Sequence, residues 1–219
     1  MRRLGDPEGR LHAPDLRMVD YSSSIVQSAA WWTTLVPCYL MPAKNILDLL
    51  KDGDRRSIGR SDQVATMVSK NLQLFPKLIE GLWSKDAFVR MRAADAAEKI
   101  TRKKPELLTP YRKELLGLLG ETMGQELRWH LAVIVPRLSL KSNERKRAIS
   151  LLNSYMQDRS SIVKTFAVQG LADLARDDAT IRSTVIEVVR EATRRGTPAM
   201  KARGRKLLHE LEGGLIRQN

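Results

Sequence analysis

Four sixteen-residue windows of this chain align without a gap. They are KDAFVRMRAADAAEKI from Lys85, MGQELRWHLAVIVPRL from Met123, RSSIVKTFAVQGLADL from Arg159 and GTPAMKARGRKLLHEL from Gly196. Their starts lie 38, 36 and 37 residues apart, a period suited to a unit of two helices. A unit of that size cannot bury its own apolar face, so successive units must lean on one another.

Each column of the alignment has a physical meaning. The second holds Asp86, Gly124, Ser160 and Thr197, residues that favour a helix N-cap because a side-chain oxygen or a permissive backbone serves the first unpaired amides. In the last window Pro198 follows, at the one helical position where a missing N–H costs nothing. Apolar and small residues then fall at offsets of four, three and four: Val89, Ala93, Ala96, Ile100; Leu127, Leu131, Ile134, Leu138; Val163, Ala167, Gly170, Leu174; Met200, Gly204, Leu207, Leu211. That spacing places them on one helical stripe. Ala93, Ala96, Ala167, Gly170 and Gly204 in mid-stripe let neighbouring helices come close.

Before each window runs a second apolar segment, at Leu72 to Trp83, Tyr111 to Leu119, Arg145 to Met156 and Ile181 to Ala192. These are expected to be the first helices of antiparallel hairpins, closed by short polar joints such as Ser84-Lys85-Asp86. Residues 44–70 read as a degraded first unit, with a helix at Ile46 to Leu50, a turn at Asp52-Gly53-Asp54 and a second helix to Lys70. Apolar residues at 42% with only 5% aromatics fit an all-α chain. The windows, and Asp86-Ala-Phe-Val-Arg-Met-Arg-Ala-Ala-Asp-Ala-Ala above all, resemble the second helix of HEAT repeats. The resemblance runs from about Ala43 to Glu212 and implies a right-handed α-α superhelix, a solenoid of four to five hairpins. Proteins of this kind serve as protein scaffolds, nucleic-acid binders and, rarely, enzymes.

Residues 1–40 read differently. Arg2, Arg3, Arg10 and Arg17 are matched by Asp6, Glu8, Asp15 and Asp20, so the net charge of +13 lies beyond Leu40. The stretch Ser22 to Leu40 is interrupted by Gln27, Thr33, Thr34 and Pro37, too mixed for a membrane span and poorly shaped for a signal peptide. The expected division is an extension over 1–40 outside the fold, with periodicity starting just after Met41, and a HEAT-like domain over 41–219. A membrane-peripheral or partner-binding arm is the competing reading of the extension. The lone Cys38 allows no internal disulfide, and a reducing, cytoplasmic setting is the simplest expectation.

The sixth column is always a cation: Arg90, Arg128, Lys164 and Lys201, with Arg56 at a similar place in the degraded unit. One reading is a structural ladder bonding carboxylates or carbonyls of its own or the next unit. The other is a row of positive charge lining a concave surface for phosphates or acidic side chains. Arg92, Trp129 and Arg203 are further candidates for that surface. Clusters such as Arg102-Lys103-Lys104 and Arg145-Lys146-Arg147 add weight to an anionic partner, although each alone reads as a solvated face.

Signals for catalysis are weak. His12, His130 and His209 lack metal-ligand spacing. Ser161-Ile-Val-Lys164 has a Ser-x-x-Lys spacing without its companion motifs, and both residues are explained by helix initiation and the basic column. No phosphate loop or dinucleotide fingerprint occurs, and neither metal nor cofactor is expected. The expected function is a monomeric, non-catalytic scaffold that binds an acidic protein surface on its inner helices. Nucleic-acid binding is the alternative. An alkylpurine DNA glycosylase, whose family shares this architecture, is a further one, for which Asp95 or Asp173 would supply a groove carboxylate beside an aromatic.

Overall fold

The computed structural model describes residues 45–51, 57–176 and 178–216, all within one compact unit spanning Ala43–Asn219. The extension over 1–40, the turn expected at Asp52-Gly53-Asp54 and Arg56 lie outside the described residues. Among the described residues there are ten α-helices and no strand, and no helix is long and apolar enough to cross a membrane. The helices are α1 (Ile46–Leu49), α2 (Ser61–Lys70), α3 (Phe75–Glu80), α4 (Ala87–Thr101), α5 (Arg112–Glu121), α6 (Gln125–Ile134), α7 (Ser142–Tyr155), α8 (Ser161–Arg176), α9 (Ala179–Arg195) and α10 (Pro198–Ile216).

The four aligned windows are α4, α6, α8 and α10, each started where the cap column places it. Asp86 Oδ1 accepts from the backbone amides of Phe88 at 2.8 Å and Val89 at 3.4 Å. Gly124 caps α6 through its backbone. Ser160 Oγ accepts from Val163 N–H and Thr197 Oγ1 from Met200 N–H, both at 3.4 Å. The first helices are less regular than their apolar pattern implies. Leu72 to Trp83 breaks into 3-10 turns at Leu72–Leu74 and Gly81–Trp83 around α3, with Pro76 at the start of α3, where its ring and absent N–H do no harm. Pro136 likewise ends α6 in a 3-10 turn, Val135–Arg137.

Packing follows the stripe. All sixteen stripe residues are buried, and α2, α4, α6, α8 and α10 each contact the next in that series. On the other side α1 meets α3 and α5 meets α7. Small residues set the approach where backbones are nearest. A Cβ at Gly170 of α8 would run into the carbonyl oxygen of Ala132 on α6, so only glycine lets these helices cross so closely.

Polar ties join the same neighbours. Ser61 Oγ donates to Asp95 at 2.5 Å, and Lys99 bridges Asp62 and Asp95 at 2.5 Å each, fastening α2 to α4. Arg137 binds the carboxylate of Glu98 as well as its carbonyl oxygen at 2.7 Å, fastening the end of α6 to α4. Tyr155 Oη donates to Leu119 O at 2.5 Å, and Arg112 pairs with Glu144 at 3.0 Å, fastening α5 to α7. Trp83, at the end of the Gly81–Trp83 turn, leaves 46% of its surface exposed.

Candidate functional site

The sixth column lies beside the hairpin turns, and its members differ in what they hold. Arg90 Nη1 donates to the carbonyl oxygens of Ser84 at 2.7 Å and Lys85 at 3.0 Å, in the turn just before its own helix. Arg128 does the same through Nε to Thr122 O at 2.8 Å, and its Nη1 reaches Asp158 in the turn of the next hairpin at 2.5 Å. Its guanidinium also sits 5.2 Å from the centre of the Tyr155 ring. Burial pushes the Asp158 carboxyl up, but the Ser160 amide and Arg128 outweigh it and hold the pKa below the usual range. These two arginines act as rungs, which the fork of a guanidinium suits and a single ammonium does not.

The side chains of Lys164 and Lys201, at the same repeat position, form no hydrogen bond or ion pair among the described residues, and their backbone amides donate to Ser160 O and Thr197 O. Both are half-buried. Lys164 lines an open groove of about 840 Å³ between the α7–α8 turn and the α9–α10 turn.

The secondary candidates also divide. Arg92 is fully buried. Its Nη1 donates to Leu50 O at 2.7 Å and its Nε lies 3.4 Å from Ser57 O, so it fastens the first unit to α4 and presents nothing to a ligand. Trp129 of α6 and Arg203 of α10 do meet, through a residue the sequence reading passed over. The Phe166 ring on α8 stacks on Trp129 at 5.0 Å and lies 5.3 Å from the Arg203 guanidinium. One planar group from each of three successive inner helices therefore forms a row. Phe166 shares the eighth alignment column with Arg203, and that was the available signal.

This row crosses a second groove of about 770 Å³, lined from α4, α6, α8 and α10. Its cations are Lys99, Arg102, Arg137, Arg176 and Arg203, against Asp95, Glu98 and Asp173. Glu98 illustrates the balance: burial raises its pKa, yet Arg137 and Arg102 together keep it lowered. Asp173 goes the other way. Burial pushes its pKa up, and the hydrogen bond from Gln169 at 2.8 Å and the Arg176 guanidinium at 3.2 Å only partly offset that. Gln169 in turn accepts from Arg203 at 2.7 Å, and Arg176 reaches Glu210 on α10 at 2.6 Å. The other groove acid named from the sequence, Asp95, is almost covered and bonded to Ser61 and Lys99.

The guanidinium groups of the groove are partnered by the buried Glu98 for Arg102 and Arg137, by the part-buried Asp173 and the half-exposed Glu210 for Arg176, and by the Gln169 amide for Arg203. Only the Arg176–Glu210 pair is exposed on both sides and so weakly held, which makes Arg176 the cation whose donors an incoming anion can most readily take over. The aromatic faces are less available, because Phe166 lies between Trp129 and Arg203. A flat ligand would have to open that stack.

Among the described residues no group of three His, Cys, Asp or Glu side chains is placed to hold a metal ion. No protein-family model and no curated protein matches the chain. Its helices are similar to those in the crystal structure of an engineered protein, a target of the Northeast Structural Genomics Consortium. The two are 16% identical, with a TM-score of 0.51 over 77% of this chain and 80% of that one, a likeness of fold alone.

Proposed function

We propose that this chain is a HEAT-like helical solenoid, monomeric and cytoplasmic, that acts as a non-catalytic scaffold and holds an acidic protein segment along the face of α4, α6, α8 and α10. The observation that carries the reading is the composition of the groove across that face, with five cations against three carboxylates on a floor that includes Trp129, Val133, Pro136 and Phe166. An acidic segment with occasional apolar side chains is complementary to such a surface.

Fluorescence anisotropy with a labelled glutamate-rich peptide, and with a DNA duplex of equal charge, at two salt concentrations tests it. The peptide should bind, and neutralising Arg176→Gln with Lys206→Gln should weaken it by about tenfold. Both side chains are exposed and line the adjoining pocket between α8 and α10, which Arg176 shares with the groove, so the fold should tolerate the change. No peptide binding at low salt would refute the scaffold reading. Duplex binding that falls steeply with salt would favour nucleic acid in its place.

A second reading has one specific observation behind it. Asp173 stands in this groove near the aromatic row with a raised pKa, which is the kind of carboxylate that the glycosylase alternative requires. Release of an alkylated base from duplex DNA by the wild type, abolished in Asp173→Asn, would establish it. Absence of release from the wild type removes it.

A further inference from the structure

The step between the second and third windows carries a rung that the last step does not. In the alignment, the residue just before each window is Asp158 for the third and Arg195 for the fourth. Arg128 pairs with Asp158 across the step between the second and third windows. At the next step Lys164 has Arg195 as its counterpart, and both line the 840 Å³ groove at the hairpin-turn edge. Where the preceding step carries an ion pair, this one carries two cations. Arg159, exposed and without a hydrogen bond or ion pair among the described residues, lines the same groove.

Local acids do not correct this imbalance. Asp158 is engaged by Arg128 and by the Ser160 amide at 2.8 Å. Glu187, which also lines the groove, pairs with Arg190, and Glu191 pairs with Arg194 and Arg195, all along their own helix in exposed arrangements worth little. The groove wall beneath the cations is apolar, with Met156, Val188, Ala192 and Met200. Lys164 and Arg159, without a directly bonded acid at the rim of an apolar groove, define what fits: a carboxylate at the rim with aliphatic side chains below it.

We propose that the edge groove between the α7–α8 and α9–α10 turns is a docking site for an acidic, leucine-bearing segment of a partner protein, whose carboxylate takes the place between Lys164 and Arg195 that Asp158 takes beside Arg128. This site is separate from the inner-face groove, and the two are read by different variants. Ser161 lines both the edge groove and the neighbouring inner-face pocket between α8 and α10, so one extended segment can pass from one to the other.

The test uses the full chain and a fluorescein-labelled helical peptide with leucines at i, i+3, i+4 and i+7 and glutamates elsewhere, read by anisotropy. Lys164→Gln with Arg159→Gln should weaken binding by about tenfold, and so should Arg195→Asp, which sets a carboxylate where the ligand's would lie. Val188→Gln, in a half-buried wall position, should weaken it several-fold by removing apolar floor. Helical circular dichroism at wild-type strength certifies each variant as folded, and Lys164→Gln alone serves if a double variant is not.

No binding by the wild type overturns the proposal. So does binding that survives every edge variant, and if Arg176→Gln with Lys206→Gln then abolishes it, the inner face is the acid site and the edge is not. A tighter, edge-dependent association with phosphatidylserine vesicles or duplex DNA than with the peptide overturns the choice of occupant.

Discussion

The first and second windows do at their turns what the third and fourth do not. Arg90 and Arg128 bind the carbonyls of their own turns, and Arg128 reaches across to Asp158. Lys164 and Lys201 hold nothing. The eighth column shows the same division. Arg92 and His130 are buried under the preceding unit, whereas Phe166 and Arg203 are half-buried in the inner groove. A residue type repeated at one alignment position can therefore be structural in one half of a stack and available in the other. What decides is the partner that the neighbouring unit supplies.

The largest expected effect sharpens that contrast at the eighth column. Burial pulls the pKa of His130 down from the ordinary 6.5 to about 3, and its Nδ1 has no hydrogen-bond partner. The unfolded chain takes a proton near pH 6.5 and the folded chain does not until near pH 3. Stability from this residue is therefore complete above pH 6.5 and is lost as pH falls from there towards 3. By pH 4 the loss should reach about 3 kcal/mol. Denaturant melts at pH 7 and pH 4 on the wild type and His130→Leu measure it as a difference, which separates it from the carboxylates that titrate in the same range. Equal pH slopes for the two proteins would show that His130 is not held neutral.

Next in size is the glycine pair. Gly170 abuts a backbone carbonyl of α6, while a Cβ at Gly204 would meet chiefly the Thr193 hydroxyl on α9, which is bonded to Val189 O, with the Thr193 Cα at an ordinary contact distance of 3.5 Å. Backbone cannot swing aside and a threonine can. Gly170→Ala should cost about 2 kcal/mol, since crowding outweighs the roughly 1 kcal/mol that alanine returns in helix propensity. Gly204→Ala should change stability by less than about 1 kcal/mol. Equal costs in chemical melts would mean that the two crossings are equally tight.

Such crossings were legible from the chain because they depend on one helix at a time. The sixteen stripe residues are all buried, and the caps at Asp86, Gly124, Ser160 and Thr197 stand where their types favour them. The ladder alternative for the sixth column was also legible. Which rungs form was not, because a rung joins two turns from different hairpins, and only their juxtaposition shows Arg128 meeting Asp158. Phe166 escaped notice for the same reason: its stack with Trp129 and Arg203 uses two alignment columns on three helices. The 3-10 turns at Leu72–Leu74, Pro105–Tyr111 and Val135–Arg137, beside or around Pro76, Pro110 and Pro136, were not legible from the apolar periodicity alone.

Removing the rung itself comes third. Arg128→Ala leaves Asp158, with only 9% of its side chain exposed, facing the Ser160 amide alone, and frees Thr122 O. Loss of a partly buried, hydrogen-bonded ion should cost about 1.5 kcal/mol, less than a fully buried pair because Arg128 retains 20% exposure. A double-mutant cycle with Asp158→Asn measures how much of that is the pair. Additive effects would dissolve the rung and, with it, the contrast between the two halves.

The smallest expected effect is the most searching, because it asks whether the C-terminal cations serve the fold at all. Lys164→Ala and Lys201→Ala break no hydrogen bond or ion pair. Each removes an aliphatic stem that is half-buried, worth a few tenths of a kcal/mol of packing, and each gains slightly in helix propensity. For Lys164 there is also the attraction to Asp158, which helps keep that carboxyl ionised but acts beyond contact distance. The sum should lie within about 0.5 kcal/mol of zero for both variants, against the larger loss at Arg128. If Lys164→Ala instead cost as much as Arg128→Ala, the lysine would be a rung by some route other than direct bonding. Its place at the edge groove would then be a matter of architecture, with no cation left over for a ligand.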